Sequence, residues 1–381
     1  MSGLVGGAMK VRVYILGSLI GVFLFLLPGY SIGPAVYMTA DGINHNEPSG
    51  MRLMCSDNRA DFSLTSLKDY LSLDFIWHSD SQMDEKEVCR IKYHRLYYKN
   101  RYIVVEGRLG LQGNPYPVVL DTGASQPIFL NMIHVLDNKL PIYFMEDTNY
   151  DLNGHKLGLC ELSLLQIGAV TFTNRPCLYL ESPATVNLFG VYVSGRNSNC
   201  KPVIVGLPVL KEFKYVMFDN IENEVEFSYN QSFETSDADT WEKYPISIEE
   251  DSHRNAFLFV RVPIAGEQME LQFDSGSGRG LAIGERLWEQ IGFHIPDLNL
   301  SGGRDFYPYI GCLACRKGVV PTLQVGDRMI TNAEISVFPD DSPLLAESEG
   351  LLGMQYFQKA VVVLDFEKSL MWVRSQGIQK M

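Results

Sequence analysis

The chain has 381 residues, of which 46% are hydrophobic and 20% charged, and its formal net charge is −13. This length and apolar content can form a substantial core and predict two domains. The acidic balance argues against nucleic acid as a partner, because phosphate backbones bind basic surfaces.

The first 35 residues have the pattern of a targeting segment. Lys10 and Arg12 precede an uncharged apolar stretch at 13–27, and Gly33 and Ala35 are small residues before a cleavage point. The apolar run is shorter than the roughly 20 residues of a bilayer span. A cleaved signal peptide is therefore predicted, with an uncleaved membrane anchor as the alternative. Either one places the rest of the chain outside the cytoplasm, secreted, periplasmic or membrane-anchored and facing outward.

Residues 36–100 form an N-terminal extension, which ends in a basic run of Arg90, Lys92, Arg95 and Lys99. We interpret this run as a solvated strand packed on the following domain. The alternative is a propeptide that covers a cleft at neutral pH and is released as carboxylates become protonated.

Two lobes follow, predicted at 101–229 and 254–374 and joined by an acidic linker at 230–253. In each lobe, a β-hairpin with glycine at its turn leads to a short polar motif. The first motif is Asp121-Thr122-Gly123 and the second is Asp274-Ser275-Gly276.

The two lobes are copies of one pattern. Further anchors recur in the same order and at nearly the same spacings, namely Leu165-Gln166-Ile167-Gly168 with Leu323-Gln324-Val325-Gly326, Ile204-Val205-Gly206 with Leu351-Leu352-Gly353, and Phe218-Asp219 with Leu364-Asp365. Such a repeat indicates gene duplication.

On these residues the chain resembles the two-lobed aspartic peptidases of the pepsin and retropepsin kind. The resemblance covers about 101–374 and implies an all-β fold of two β-barrel lobes related by a pseudo-twofold axis. It implies Asp121 and Asp274 as the catalytic residues, a polypeptide substrate and no metal or cofactor. One chain holds both aspartates, so a monomer is expected. Two residues depart from the family pattern, Gln272 and Gly278.

The chemistry of the resemblance needs a pair of carboxylates. Two carboxylates about 3 Å apart cannot both ionise, so they share one proton and act in turn as base and acid on water and on the leaving nitrogen. Thr122 and Ser275 are expected to hydrogen-bond across the lobe interface. Gly123 and Gly276 allow the tight turns.

Ser277 completes the predicted loop-stabilising residues. Its hydroxyl is expected to bond the outer oxygen of Asp274. Ala124 at the same place in the first lobe has no hydroxyl, which predicts a milder acidic optimum than a site with two hydroxyls.

A substrate-clamping hairpin, or flap, is expected in each lobe between the aspartate loop and the next strand. The candidates are Tyr150 and Gly154 in the first lobe, and Ile310 and Gly311 in the second, with turn points at Asn153-Gly154 and Ile310-Gly311.

Other sites are disfavoured. The chain has seven cysteines, and Cys312-x-x-Cys315 is interpreted as a local disulfide or structural pair, because no second pair has the spacing of metal ligands. The histidines have no zinc-ligand spacing. An exported aspartic endopeptidase is therefore the predicted function. The alternative is a catalytically inactive protein that binds an extended peptide in the same cleft, and a structural envelope protein is a weaker third interpretation.

Overall fold

A computed structural model of the chain describes residues 51–53, 62–64, 88–96, 101–143, 151–152, 155–180, 185–188, 191–194, 202–251, 255–292, 295, 300–307 and 311–375. The predicted targeting segment at 1–35 lies outside these residues. Among the described residues, no helix is both long enough and apolar enough to cross a bilayer.

Strands dominate the described residues. The strands up to residue 228 are β1 (Met51–Leu53), β2 (Phe62–Leu64), β3 (Cys89–Lys92), β4 (His94–Leu96), β5 (Tyr102–Leu109), β6 (Asn114–Asp121), β7 (Ile128–Asn131), β8 (Ile142–Tyr143), β9 (Asp151–Leu152), β10 (His155–Ile167), β11 (Val170–Leu180), β12 (Thr185–Leu188), β13 (Val191–Ser194), β14 (Val203–Gly206), β15 (Tyr215–Asp219) and β16 (Glu224–Ser228).

The strands after residue 228 are β17 (Glu242–Glu250), β18 (Ala256–Ile264), β19 (Glu267–Asp274), β20 (Leu281–Gly284), β21 (Ser301–Tyr307), β22 (Gly311–Val325), β23 (Arg328–Phe338), β24 (Gly350–Gly353), β25 (Ala360–Asp365) and β26 (Leu370–Ser375). The helices are α1 (Met132–Asn138), α2 (Leu207–Leu210) and α3 (Glu285–Gly292), with 3-10 turns at Ala238–Thr240, Pro343–Leu345 and Met354–Phe357.

The two lobes repeat one strand topology. The order in the first lobe is β5-β6-β14-β7-β11-β10, and in the second it is β18-β19-β24-β20-β23-β22. Each lobe also closes on itself, because β10 pairs with β5 and β22 pairs with β18. The predicted all-β, bilobal fold is confirmed.

Six antiparallel strands at one end of a 13-stranded sheet join the lobes, in the order β17-β26-β25-β15-β16-β3; we call them the six-stranded sheet. At its centre β15 of the first lobe pairs with β25 of the second, from Tyr215 opposite Asp365 to Asp219 opposite Val361. The side chains of Phe218, Val362 and Leu364 in these strands are fully buried. The hydrophobic core is therefore continuous from one lobe into the other.

Strands from outside the predicted lobes flank these paired strands. β3 pairs with β16 at the edge, and β17 pairs with β26 on one side and with β18 of the second lobe on the other. β17 lies within the predicted acidic linker, and β3 lies within the N-terminal extension. The basic residues of the extension bind acidic partners, Arg90 with Glu226 at 2.5 Å and Lys92 with Glu224 at 3.1 Å. Residues 88–96 are thus part of the folded body.

Of the two roles expected for Cys312 and Cys315, the local disulfide is wrong, because Cys315 is a free cysteine. Both residues lie in β22, an extended strand in which positions three apart are about 10 Å apart along the chain. A disulfide needs Cα atoms about 4.4–6.8 Å apart. Cys315 is a free, buried thiol that packs beside Tyr307 and Phe338.

Contacts within the chain define two compact units, and both lobes, apart from residues 183–197 of the first, belong to the larger one. The other unit comprises residues 1–48 and 183–197. Its described part is an antiparallel hairpin in which β12 pairs with β13.

Candidate active site

Each predicted catalytic aspartate is the last residue of a buried strand. Asp121 ends β6 and Asp274 ends β19. A parallel strand from the same lobe lies beside each one, so that Gly206 of β14 is opposite Asp121 and Gly353 of β24 is opposite Asp274. A Cβ atom on Gly206 would lie 2.0 Å from the carbonyl oxygen of Gln126, so only glycine fits behind this loop.

Hydrogen bonds between Thr122 and Ser275 connect the two aspartate loops, as predicted. The backbone N–H of Thr122 donates to Ser275 Oγ at 3.0 Å, and the N–H of Ser275 donates to Thr122 Oγ1 at 2.9 Å. Each hydroxyl also donates to a carbonyl in the other lobe, Thr122 to Phe273 at 2.7 Å and Ser275 to Leu120 at 2.8 Å. All four bonds are buried, so they fix the two loops against each other.

The glycines of the two motifs bring the carboxyl groups together. A Cβ on Gly123 would lie 2.6 Å from Asp274 Cγ, and a Cβ on Gly276 would lie 2.2 Å from Asp121 Cγ. Each carboxyl group therefore occupies the space that the missing side chain leaves in the other lobe. The two carboxyl groups hydrogen-bond each other, and the N–H of Gly123 donates to Asp121 Oδ1 at 2.8 Å.

Burial raises the pKa of both carboxyl groups. It is the largest effect on Asp121, and hydrogen bonds from Asp274 and from nearby backbone N–H groups lower the pKa in part. The pKa of Asp274 lies well above its usual range, first because of burial and then because of the charge on Asp121. The pair therefore keeps one proton at pH values where an exposed aspartate has lost it.

The expected role of the Ser277 hydroxyl is replaced by a backbone group. Ser277 Oγ accepts a hydrogen bond from the N–H of Arg279 at 3.2 Å, and the Ser277 N–H supports the Asp274 carboxylate. The backbone N–H of Ala124 supports Asp121 in the same way in the first lobe. The milder acidic optimum expected from the missing hydroxyl at Ala124 stays a prediction.

Asp274 Oδ1 is buried and has no hydrogen-bond partner among the described residues. An unsatisfied buried carboxylate oxygen is costly, and it is the kind of atom that a reacting water or a substrate carbonyl can engage. No group of three or more His, Cys, Asp or Glu side chains in the described ranges is arranged to hold a metal ion.

The predicted flap segments form hairpins. In the first lobe β9 pairs with β10 through Leu152 and His155, and in the second β21 pairs with β22 through Tyr307 and Gly311. Gly311 is the first residue of β22. Tyr150, Gly154 and Ile310 lie outside the described residues, so their assignment to the flaps stays a prediction.

A matched pair of contacts between the lobes was not predicted from the sequence. Arg101, just before β5, makes a two-pronged ion pair with Glu334 of the second lobe at 2.6 and 2.5 Å. Asn255, just before β18, accepts hydrogen bonds from Ser125, at 3.2 Å, and from Gln126 in the first aspartate loop. Arg101 and Asn255 precede equivalent strands in the aligned repeat. That equivalence was the sequence feature from which the two contacts could have been predicted.

No protein-family model matches the sequence, and no curated protein is significantly similar to it. Solved structures with a similar fold include basic 7S globulin from soybean, at 9% identity over 79% of this chain and 98% of that one, with a TM-score of 0.43. They also include an aspartic proteinase from Irpex lacteus, at 9% identity over 77% of this chain and 99% of that one, with a TM-score of 0.45. At this level of similarity neither structure carries an argument about the activity of this chain.

Proposed function

We propose that this chain is an aspartic endopeptidase that uses Asp121 and Asp274. The observation that carries the proposal is the buried, hydrogen-bonded carboxyl pair, held by the mutual bonds of Thr122 and Ser275. Both carboxylates and both hydroxyls are present, and the pair retains a shared proton. These are the requirements for acid–base hydrolysis without a metal or a covalent nucleophile.

In the proposed reaction a water lies between the two carboxyl groups. The ionised carboxylate takes a proton from the water as it attacks the peptide carbonyl. The protonated partner donates to the carbonyl oxygen, and a proton then passes to the leaving nitrogen. The backbone N–H groups of Gly123 and Ser277 stabilise the charged carboxylates and keep the pair aligned.

Gly278 was one of the two departures that motivated the inactive alternative, and the structure supplies a reason for it. A Cβ at Gly278 would lie 2.5 Å from the Cβ of Arg101, so a larger residue does not fit beside the ion pair with Glu334. In the first lobe Ser125 occupies the equivalent position beside Asn255. Glycine at position 278 therefore leaves room for the larger Arg101 and does not indicate a loss of catalytic activity. Nothing in the structure explains Gln272.

Export, a polypeptide substrate and action as a monomer are parts of the same proposal. They rest on the apolar segment at 13–27 and on the presence of both aspartates in one chain.

The test is cleavage of a mixed peptide library by the purified chain from pH 3 to 8, beside Asp121→Asn and Asp274→Asn. Loss of the acid–base pair should lower kcat/KM by about 10² to 10⁴-fold or more in each variant. Asp219→Asn is the matched control, because Asp219 accepts turn hydrogen bonds from Ile221 and Glu222 and is not a member of the carboxyl pair. Cleavage that survives Asp121→Asn would contradict the proposal. An inert but folded wild-type chain that still binds peptides would favour the binding protein.

A further inference from the structure

Two buried cysteines face each other across a first-lobe hairpin, and the proposed acid–base chemistry uses neither of them. Cys160 of β10 lies directly opposite Cys177 of β11. Both are free thiols, fully buried in the main hydrophobic core. Among the described strands, no other two cysteines are opposite each other in register.

The strand register brings the two thiols close together. Residues directly opposite in an antiparallel pair have Cα atoms about 4.5–5.5 Å apart and side chains on the same face of the sheet. That separation lies within the range of about 4.4–6.8 Å that a disulfide needs. Cys160 Sγ donates to the carbonyl oxygen of Cys177 at 3.6 Å, and Cys177 Sγ donates to that of Arg175 at 3.6 Å. A bond between the sulfur atoms therefore requires rotation of the side chains and leaves the strand pairing as it is.

The second lobe shows that the fold does not require cysteine at this position. Counted from the turn glycine of each hairpin, the equivalent residues are Gly318 and Ile335, which also lie opposite each other. A single buried thiol packs as a small apolar side chain. The first lobe instead has a thiol on both strands at one register position, so it holds both halves of a cross-link.

A bond at this position connects the predicted flap of the first lobe to the strand beside the aspartate loop. β10 begins at His155, in the flap hairpin. β11 continues from Cys177 to Leu178, which lies opposite Phe129 of β7. β7 is the first strand after the Asp121 loop. The cross-link would therefore hold the flap strand to the framework of the candidate active site.

We propose that Cys160 and Cys177 form a disulfide in the exported protein. The inference rests on the proposed export, because disulfides form and persist in oxidising compartments. It does not depend on peptidase activity.

The oxidant in this reaction is a small-molecule disulfide or the disulfide of a thiol oxidoreductase. The thiolate of one cysteine attacks that disulfide, forms a mixed disulfide and releases one thiol. The thiolate of the other cysteine then displaces the second thiol. The two cysteines lose two electrons, the oxidant gains them, and the two protons go to the released thiolates.

The bond has to form before the first lobe completes its folding. Burial raises the pKa of Cys160 to about 12 and that of Cys177 well above its usual range. Only a thiolate attacks a disulfide, so the buried thiols of the folded chain are unreactive. Oxidant present during folding should therefore form the bond, and oxidant added to the folded, reduced chain should form it far more slowly.

The test refolds the full chain in a mixture of reduced and oxidised glutathione, and in parallel with reductant alone. Free thiols are alkylated in denaturant, and the peptides are mapped by mass spectrometry. We expect Cys160 and Cys177 to be linked to each other after oxidative refolding and to be alkylated in the reduced sample. Alkylation of both after oxidative refolding, or linkage of either one to a different cysteine, would overturn the inference.

Thermal unfolding provides a second measurement. Closing a loop of about this length should make the oxidised preparation melt about 5–10 °C above the reduced one. The difference should disappear in Cys160→Ala. Cys315→Ala is the matched control and should keep the difference, since Cys315 is another buried free thiol and lies opposite Gly303. A difference that persists in Cys160→Ala, or that is absent from wild type, would contradict the proposed bond.

Failure of the proposed export is recognised separately, because the refolding experiment does not require it. Fractionation of cells that express the full chain shows whether the chain leaves the cytoplasm, and the same peptide map is made on the recovered chain. A chain that forms the bond on refolding but stays in the cytoplasm would overturn the export, and with it the bond in the cell. An exported chain with both thiols free would overturn the bond alone.

Discussion

Gly278 and Arg101 illustrate how a single residue in one lobe limits the size of a residue in the other. Arg101 is held by its two-pronged ion pair with Glu334, so its backbone and Cβ have little freedom beside Gly278. The same place in the first lobe combines Ser125 with Asn255. The two contacts occupy equivalent positions in the repeat, but the one at Arg101 is an ion pair and the one at Asn255 is a set of neutral hydrogen bonds.

We predict that Gly278→Ala destabilises the protein by about 1–3 kcal/mol, because its Cβ would overlap that of Arg101. The free energy of unfolding in denaturant measures this. Gly302→Ala is the control, since nothing lies within 4 Å of a Cβ at Gly302.

In an Arg101→Gly background the overlap is gone, so the cost of Gly278→Ala should largely disappear. An equal cost in both backgrounds would show that the strain has another source.

The carboxyl pair lowers stability as the pH rises. Both pKa values are raised in the folded state, so below the usual aspartate range the carboxyls are protonated whether the chain is folded or not. As the pH rises from about 4, the unfolded chain loses these protons first. The folded state becomes less favourable until the folded pKa is passed.

We therefore predict that Asp274→Asn raises the melting temperature at pH 7 by about 2–4 °C or more, and that the gain shrinks towards zero at pH 3.5. Calorimetry at both pH values checks this, with Asp219→Asn as the comparison. A loss of stability at pH 7, or a gain independent of pH, would contradict the pKa shifts.

The sequence located the two aspartates and the residues of their motifs, because both lie at fixed positions in a repeat. It did not predict the ion pair of Arg101. Its partner Glu334 is 233 residues away, and no local sequence pattern indicates such a distant contact.

At the scale of elements, β3 and β4 tie the N-terminal extension to the lobes. β3 pairs with β16, and β4 pairs with β5. Cys89 and Tyr93 are buried in the main core. The Tyr93 hydroxyl donates to Asn220 at 2.8 Å. Any propeptide cleavage compatible with this fold therefore lies before residue 88.

We predict that a chain starting at residue 88 is as stable as the full chain, while one starting at 101 is destabilised by at least about 3 kcal/mol. The loss of Tyr93 alone is comparable to an aromatic-to-alanine change in a core. Denaturant unfolding of the two truncated proteins decides this. Equal stability of both would show that β3 and β4 are dispensable.

The hairpins were predictable from glycines between apolar runs, and β17 was not recognised. Its buried residues Tyr244 and Ile246 alternate with exposed ones, as in a half-buried strand. Many acidic residues in the same stretch favoured a linker. Charge on the exposed face of a strand gives the same composition as charge in a loop, and only the alternation separates the two.

At the scale of the whole molecule, the six-stranded sheet makes the lobes interdependent. β26 and β25 of the second lobe continue directly into β15 and β16 of the first, and β15 and β25 pair over five positions at its centre. The duplicated halves share a core and do not form two separate ones.

We predict that residues 88–375 unfold in one cooperative transition, because neither lobe can lose its strands without exposing the core of the other. Scanning calorimetry should give one peak, with the calorimetric enthalpy equal to the van't Hoff enthalpy. Two resolved peaks, each assignable to one lobe, would contradict this.

The mutual fit of Gly123 with Asp274 and of Gly276 with Asp121 has a consequence for how this duplicated chain can change over generations. Each copy holds the cavity for the reactive group of the other. A mutation that enlarges either glycine therefore damages a residue about 150 positions away and leaves its own aspartate intact. After duplication, neither copy could replace this glycine freely, because the aspartate of the other copy needs the space that the glycine leaves.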